Sequence, residues 1–251
     1  EADKKARGDV IIPRSIIHES KEFIVTKVSH NSFECSINID SIIFPEDSEV
    51  QIIEEEAFSK CTAKSIILPP KLNEISQLTF YYTKYLQNIS FPKNCILKKI
   101  CNDAFLESNI GSLYIPENTE LMNQWCIGTH FLNNITISPK NKFYINYQNQ
   151  FIIGKTNKTS ENFDYIVFSP RNIKIATIPS FIKKIAPFTF EHCYKLKYVD
   201  FELASPPSEI IIEESAFIQS SINFISIPSY VVQIGSDAFS TCKRLTKVEF
   251  M

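Results

Sequence analysis

Apolar positions recur along this chain in two interleaved patterns. The first is an aliphatic residue five positions ahead of a phenylalanine, with a small residue just before the ring. It appears as Ile53 to Phe58, Ile100 to Phe105, Ile212 to Phe217 and Ile234 to Phe239, and more loosely ahead of Phe33, Phe80 and Phe190. The second is an apolar–x–apolar unit that begins eight or nine residues after the ring position. Its members include Ile42/Phe44, Ile66/Leu68, Ile89/Phe91, Leu113/Ile115, Ile135/Ile137, Val199/Phe201, Ile225/Ile227 and Val248/Phe250. Alternation at period two predicts a short strand with one buried face. Most of these units end in Pro, which a ladder tolerates at a strand end.

Neighbouring rings lie 25, 22, 25, 27 and 22 residues apart, with one gap of 85 between Phe105 and Phe190. A period in the low twenties is too short for paired helices and fits a leucine-rich-repeat coil. Stacked coils predict a solenoid with a parallel β-sheet on its concave face, one strand per coil. The Ala-Phe segments are expected to form short helical or 3-10 turns on the convex face. Acidic residues such as Glu54 and Asp103 lead these segments and Lys60, Lys195 and Lys243 follow them, an order that complements a helix dipole.

Residues 1–9 are polar and are expected to form a flexible arm. Residues 10–251 then form a single repeat domain, with 10–30 as an atypical amino-terminal cap, since a first coil has no neighbour on one side. Where a ring is due after Leu121 the sequence has Trp125-Cys126, and the tryptophan is expected to fill the ring slot from the adjacent position. Residues 139–177 interrupt the period. Three apolar runs, Phe143 to Tyr147, Phe151 to Gly154 and Tyr165 to Phe168, predict a β-hairpin insertion with a mobile tip near 155–162.

Composition changes this picture little. A net charge of −2 argues against a surface built for nucleic acid or anionic lipid, and no apolar run reaches the roughly 18 residues of a membrane span. Glu1 to Asp9 has no apolar core of a signal peptide, so any secretion signal or anchor is expected outside this segment. Seven cysteines are an odd count with no C-x-x-C spacing, and Cys61, Cys193 and Cys242 each follow a repeat ring by three residues. That periodicity points to a buried small-residue slot; a Cys95–Cys101 disulfide is a weaker alternative. The four histidines show no metal spacing. His192 and Cys193 are sequence neighbours that do not face each other on a short helix, and no P-loop, G-x-S-x-G or G-x-G-x-x-G phrase occurs. No enzyme activity, cofactor or metal is expected.

The stretch from Ile227 to Phe250 reads Ile-Pro-x-x-Val-x-x-Ile-x-x-x-Ala-Phe-x-x-Cys-x-x-Leu-x-x-Val-x-Phe. It closely resembles the BspA-like leucine-rich repeats, found in surface proteins of bacteria and parasitic protists. Ile178 to Phe201 and Ile52 to Leu68 match the same phrase, and the resemblance covers roughly residues 10–251. The departures are Trp125-Cys126 and the absence of Cys after Phe80 and Phe105. The chain stops on Val248-Glu249-Phe250-Met251 within a strand, so a longer array or another segment is expected to follow. The resemblance implies a non-enzymatic binding or adhesion module at the cell surface or outside the cell. Its implied partners are proteins or glycans on host cells, matrix or other microbes. An intracellular repeat scaffold is the alternative.

Residues flanking the inward strand positions should project from the concave sheet. The first coils offer small neutral pairs, and later ones offer Ser112/Tyr114, Tyr198/Asp200 and Phe224/Ser226. A neutral face with scattered aromatics suits protein or carbohydrate better than nucleic acid. Tyr114, Tyr198, Asp200, Phe224 and Ser226 are therefore the candidate binding residues. Sequons at Asn88, Asn134 and Asn157 are candidate glycosylation sites, with Asn157 in the loop tip the best acceptor.

Overall fold

The computed structural model describes residues 6–203 and 208–251. Its elements are short strands and turns, and no helix appears among the described residues. The chain forms two compact units, one through Lys142 and one from Phe143. Each is a stack of parallel-strand solenoid turns.

In the first unit, the strands Gly8–Ile11, Ile39–Ile43, Ser65–Ile67 and Asn88–Ser90 pair in parallel and in that order. A further parallel pair joins Ser112–Ile115 to Asn134–Ile137. The middle residue of each coil points inward: Ile42, Ile66, Ile89, Leu113 and Ile135 are all buried. A second ladder of two-residue strands runs beside the first, through Glu74–Ile75, Lys99–Ile100 and Glu120–Leu121. Of the expected arm over 1–9, residues 1–5 lie outside the described residues. Gly8 and Asp9 belong to the first strand, and Ser41 Oγ donates to Asp9 at 2.5 Å. The stretch 10–30 carries an antiparallel hairpin, Ser15–His18 with Lys21–Ile24.

The rings form the other wall. Phe33, Phe58, Phe80 and Phe105 stack coil upon coil, with centroids 5.3, 5.6 and 5.4 Å apart. This wall is built of β-turns, where helical or 3-10 turns were expected. Around Phe58, the N–H groups of Ala57, Ser59 and Cys61 donate to the carbonyls three residues back, of Glu54, Glu56 and Phe58. The alternate donors, Phe58 and Lys60, cross to the Thr79 and Tyr81 carbonyls of the next coil, at 3.1 and 2.8 Å. A helix would spend every N–H within its own turn and leave neither for the ladder. The alternation also requires a left-handed residue two positions before and after the ring. Glu56 and Lys60 have φ of 57° and 56°, and the same offsets recur at Asn31/Cys35, Asp103/Glu107 and Asp237/Thr241. Cross-coil bonding has overridden the local preference for right-handed turns.

Trp125-Cys126 keeps this register with the two residue sizes exchanged. The Trp125 N–H donates to Met122 and the Thr129 N–H to Cys126, as Ala57 and Cys61 do to Glu54 and Phe58. Cys126 thus stands at the ring position and Trp125 at the alanine position, both buried. Large–small has replaced small–large in the same slot. This burial leaves Trp125 out of any surface reading.

The second unit opens with the expected hairpin, Ile145–Tyr147 with Phe151–Gly154. The hairpin opens this unit's own ladder: Phe151–Gly154 pairs antiparallel with Tyr165–Phe168, which continues in parallel through Lys184–Ile185 to Ile210–Ile212 and Val231–Ile234. Phe151, fully buried, meets Phe190 edge-on at 6.0 Å and so supplies a ring within the long gap. Phe190, Phe217 and Phe239 then stack at 4.6 and 5.1 Å. Asp164 holds the stretch expected to be a mobile tip, accepting from Thr156 N and Oγ1 at 2.8 and 2.9 Å.

Candidate binding surface

The second unit's parallel sheet is built from Ile175–Ile178, Tyr198–Phe201, Phe224–Ile227 and Lys247–Phe250. Ala176, Val199 and Ile225 face the core with almost no exposure, which turns their neighbours outward. The register sets Ile175 beside Tyr198, Tyr198 beside Phe224 and Phe224 beside Lys247. A parallel column follows two residues on: Thr177 beside Asp200, then Ser226 beside Glu249. Ile175 is 53% exposed and Tyr198 46%, while Phe224 is half-buried. Strands lie about 4.8 Å apart, so the apolar column is a continuous stripe.

Two charges shape its far end. Lys247 is salt-bridged to Glu249 on its own strand and lies over the Phe224 ring, 5.7 Å from the centroid. Asp200 carries no ion pair or side-chain hydrogen bond among the described residues. Of the five candidate residues, the structure therefore places Tyr198, Asp200, Phe224 and Ser226 on adjacent strands of one sheet. Tyr114 lies on the first unit's sheet, 40% exposed, with its ring 6.1 Å from Phe91. Ile175, Lys247 and Glu249 complete the stripe. Their register was readable from the repeat, but neither an aliphatic nor an internally paired charge stands out as a binding residue by type.

The sequons differ in setting. Asn88 and Asn134 are exposed on strands of the first unit, whereas Asn157 is in a turn where its Oδ1 accepts from Thr159 N and Oγ1 at 3.0 and 2.8 Å. Cys61, Cys193 and Cys242 are buried as the periodicity required, and burial pushes the Cys61 and Cys242 thiols up. Cys95 and Cys101 are free thiols, so the disulfide alternative between them falls. His192 Nε2 lies 3.8 Å from Glu191, and Cys193 Sγ faces the Pro170 carbonyl at 3.7 Å. No group of three or more metal-ligating side chains gathers among the described residues.

A buried ion pair escaped the sequence reading. Arg171 is wholly enclosed, 4.8 Å over the Phe168 ring, and its Nη1 donates to the carbonyls of Phe188 and Thr189. Its Nη2 lies 3.7 Å from Glu191. Away from the sheet, a groove of about 420 Å³ is lined by His192, Gln219, Ser221, Thr241, Lys243 and Arg244.

The profile of the BspA type leucine rich repeat region matches residues 26–151 and 144–246, in six copies. The chain belongs to the BspA-type leucine-rich repeat family. Solved structures of other proteins share the fold. A leucine-rich repeat protein from Eubacterium ventriosum superposes with a TM-score of 0.72 at 20% identity, over 96% of this chain and 59% of that one. The pneumococcal vaccine antigen PcpA gives 0.72 at 17% identity, over 100% and 73%. A leucine-rich cell surface protein from Faecalibacterium prausnitzii gives 0.58 at 18%, over 96% and 87%. No curated protein sequence matches. At such identities the superpositions show the fold alone; the family match makes the chain a repeat scaffold for protein interaction.

Proposed function

We propose that this BspA-type chain is a non-enzymatic binding module of a cell surface, and that it engages a protein or glycan partner through the sheet carrying Tyr198, Asp200, Phe224 and Ser226. The observation that supports this most is the exposed stripe Ile175–Tyr198–Phe224. Large apolar side chains stand in register on strands that the core holds rigid, so little ordering entropy remains to be lost on binding. A solvated sheet face gains nothing from such a stripe. Exposed apolar area of this kind marks interaction surfaces. The surface location rests on two neighbours, one named a cell surface protein and the other a vaccine antigen.

The test is a binding screen of the folded chain against host-cell surfaces, matrix proteins and immobilised glycans. Tyr198→Ala combined with Phe224→Ala should abolish the signal while the thermal midpoint stays near wild type, since neither ring is in the core. Unchanged binding by that variant would reject this sheet and move the site to the groove beside Lys243 and Arg244 or to Tyr114.

A further inference from the structure

We infer that the partner delivers a cationic side chain, Lys or Arg of a protein segment, into the angle between Tyr198 and Asp200. This inference rests on the binding sheet proposed above and specifies its occupant. The sheet already displays the arrangement once, with the protein's own cation in it. Lys247 lies over the Phe224 ring and pairs with Glu249, so one ammonium is shared between an aromatic face and a carboxylate. The two interactions reinforce each other, because a ring's negative face and a carboxylate both attract the same positive charge.

Tyr198 and Asp200 are a second ring and carboxylate on the same sheet face, here on one strand instead of two. They stand two residues apart on one strand, on the same face, roughly 7 Å along it. Their lateral neighbours in the described ladder are Ile175 and Phe224 in the apolar column and Thr177 in the polar one. None of these is a cation, so no side chain of the chain's own occupies the position that Lys247 fills beside Phe224. The Asp200 carboxylate is exposed and unpaired, and Tyr198 is exposed beside it. A cation there would gain a charge-assisted bond and a ring face at once, and its aliphatic stem would lie along Ile175 or Phe224. A neutral sugar would stack on the ring and could donate a hydroxyl to Asp200, but it would leave the carboxylate's charge uncompensated. The unpaired carboxylate therefore favours protein over glycan.

The experiment pans a random linear dodecapeptide library, displayed on phage, against the whole chain in parallel with Asp200→Asn, Tyr198→Ala/Phe224→Ala and a neutral glycan array. The expected result is recovered peptides enriched in Lys or Arg next to an aliphatic or aromatic residue. Their synthetic versions should lose about tenfold or more in affinity on Asp200→Asn, and weaken in 0.5 M salt as partly exposed charge pairs do. Peptides that depend on Tyr198 and Phe224 but carry no basic enrichment, or that ignore Asp200→Asn, would overturn the inference and leave the binding sheet standing. Neutral glycans that bind through Tyr198 would do the same. Recovery of no peptide, or only of peptides indifferent to both rings, would overturn the inference; only the second outcome also counts against the sheet.

Discussion

Phe190 and Phe217 stack face to face across neighbouring coils, with centroids 4.6 Å apart and planes 2° from parallel. Both rings are fully buried, whereas Phe239, next in the same column, is only partly so. Burial decides the cost of truncation. Phe217→Ala should cost about 3–5 kcal/mol, from lost transfer energy and the cavity left between two rings. Phe239→Ala should cost less, although its sequence phrase is the most regular in the chain. Urea unfolding of the two variants at matched m-values measures the difference.

Gly235 tests how tightly successive coils approach. A Cβ built there would sit 2.5 Å from the Glu214 nitrogen and 2.7 Å from the Glu213 carbonyl carbon, both backbone atoms that cannot rotate away. Gly235→Ala should therefore destabilise by roughly 1–3 kcal/mol through overpacking. Gly111→Ala, whose Cβ would meet nothing closer than 3.9 Å, is the control and should be nearly silent. Equal thermal midpoints for the two variants would contradict the close approach.

The period of rings and branched aliphatics was enough to read the coil, its inward strand residues and the outward columns at Tyr198 and Phe224, because both derive from local alternation repeated in register. What it could not convey was the turn wall. Leu78 and Phe188 adopt left-handed φ of 54° and 59°, which their side chains disfavour, since cross-coil hydrogen bonds outweigh the local cost. Asn31, Asp103 and Asp237 at the same offset were the available signal, being residues that tolerate this conformation. The Trp125-Cys126 exchange was half legible: the slot was found, but only the hydrogen-bond register shows which residue holds the ring position. Arg171 left no periodic trace, since a buried cation is recognised by partners that lie 17 to 20 residues away in sequence.

The thiols give a third check. Cys35 is exposed, whereas Cys61 is buried and its thiol is pushed up by desolvation, and Cys242 is likewise raised by burial and donates to the Phe217 carbonyl at 3.0 Å. The thiolate is the reactive form. At neutral pH Cys35 should be alkylated by iodoacetamide well before Cys61 and Cys242, which should react only on the timescale of unfolding. Peptide mass mapping at increasing labelling times reads this order. Rapid labelling of Cys61 would mean that the wall opens locally.

Arg171 and Glu191 offer a test of the second unit's interior. Removing one member of a buried ion pair strands the other, at a cost of about 3–5 kcal/mol. Arg171→Met should reach that range, since it also strips the Phe188 and Thr189 carbonyls of their donor. Adding Glu191→Gln should recover part of the loss by removing the charge that Arg171 no longer balances. A double-mutant cycle in urea should show coupling above about 0.5 kcal/mol. Strict additivity would mean that the two side chains do not sense each other across 3.7 Å.

Asp164 sets the acid limit of the hairpin loop. Burial works against its charge, but the hydrogen bonds from Thr156 N and Oγ1 and from Lys183 outweigh it and hold the carboxyl below its ordinary value. A carboxyl depressed in the folded state contributes stability that is present above the unfolded value of about 3.9 and is lost as pH falls through the lower folded value. Thr156→Val removes the hydroxyl bonds and keeps the backbone one, so the Asp164 titration should move upward towards the unfolded value. The stabilising increment should shrink, and its loss, which still begins near the unfolded value, should be complete at higher pH. Carboxyl-carbon NMR titration gives the shift directly, and urea midpoints at a series of pH values between about 2 and 5 give the linked stability. A titration unmoved by Thr156→Val would leave the depression to the Thr156 backbone N–H and Lys183, and Lys183→Met would then separate the two.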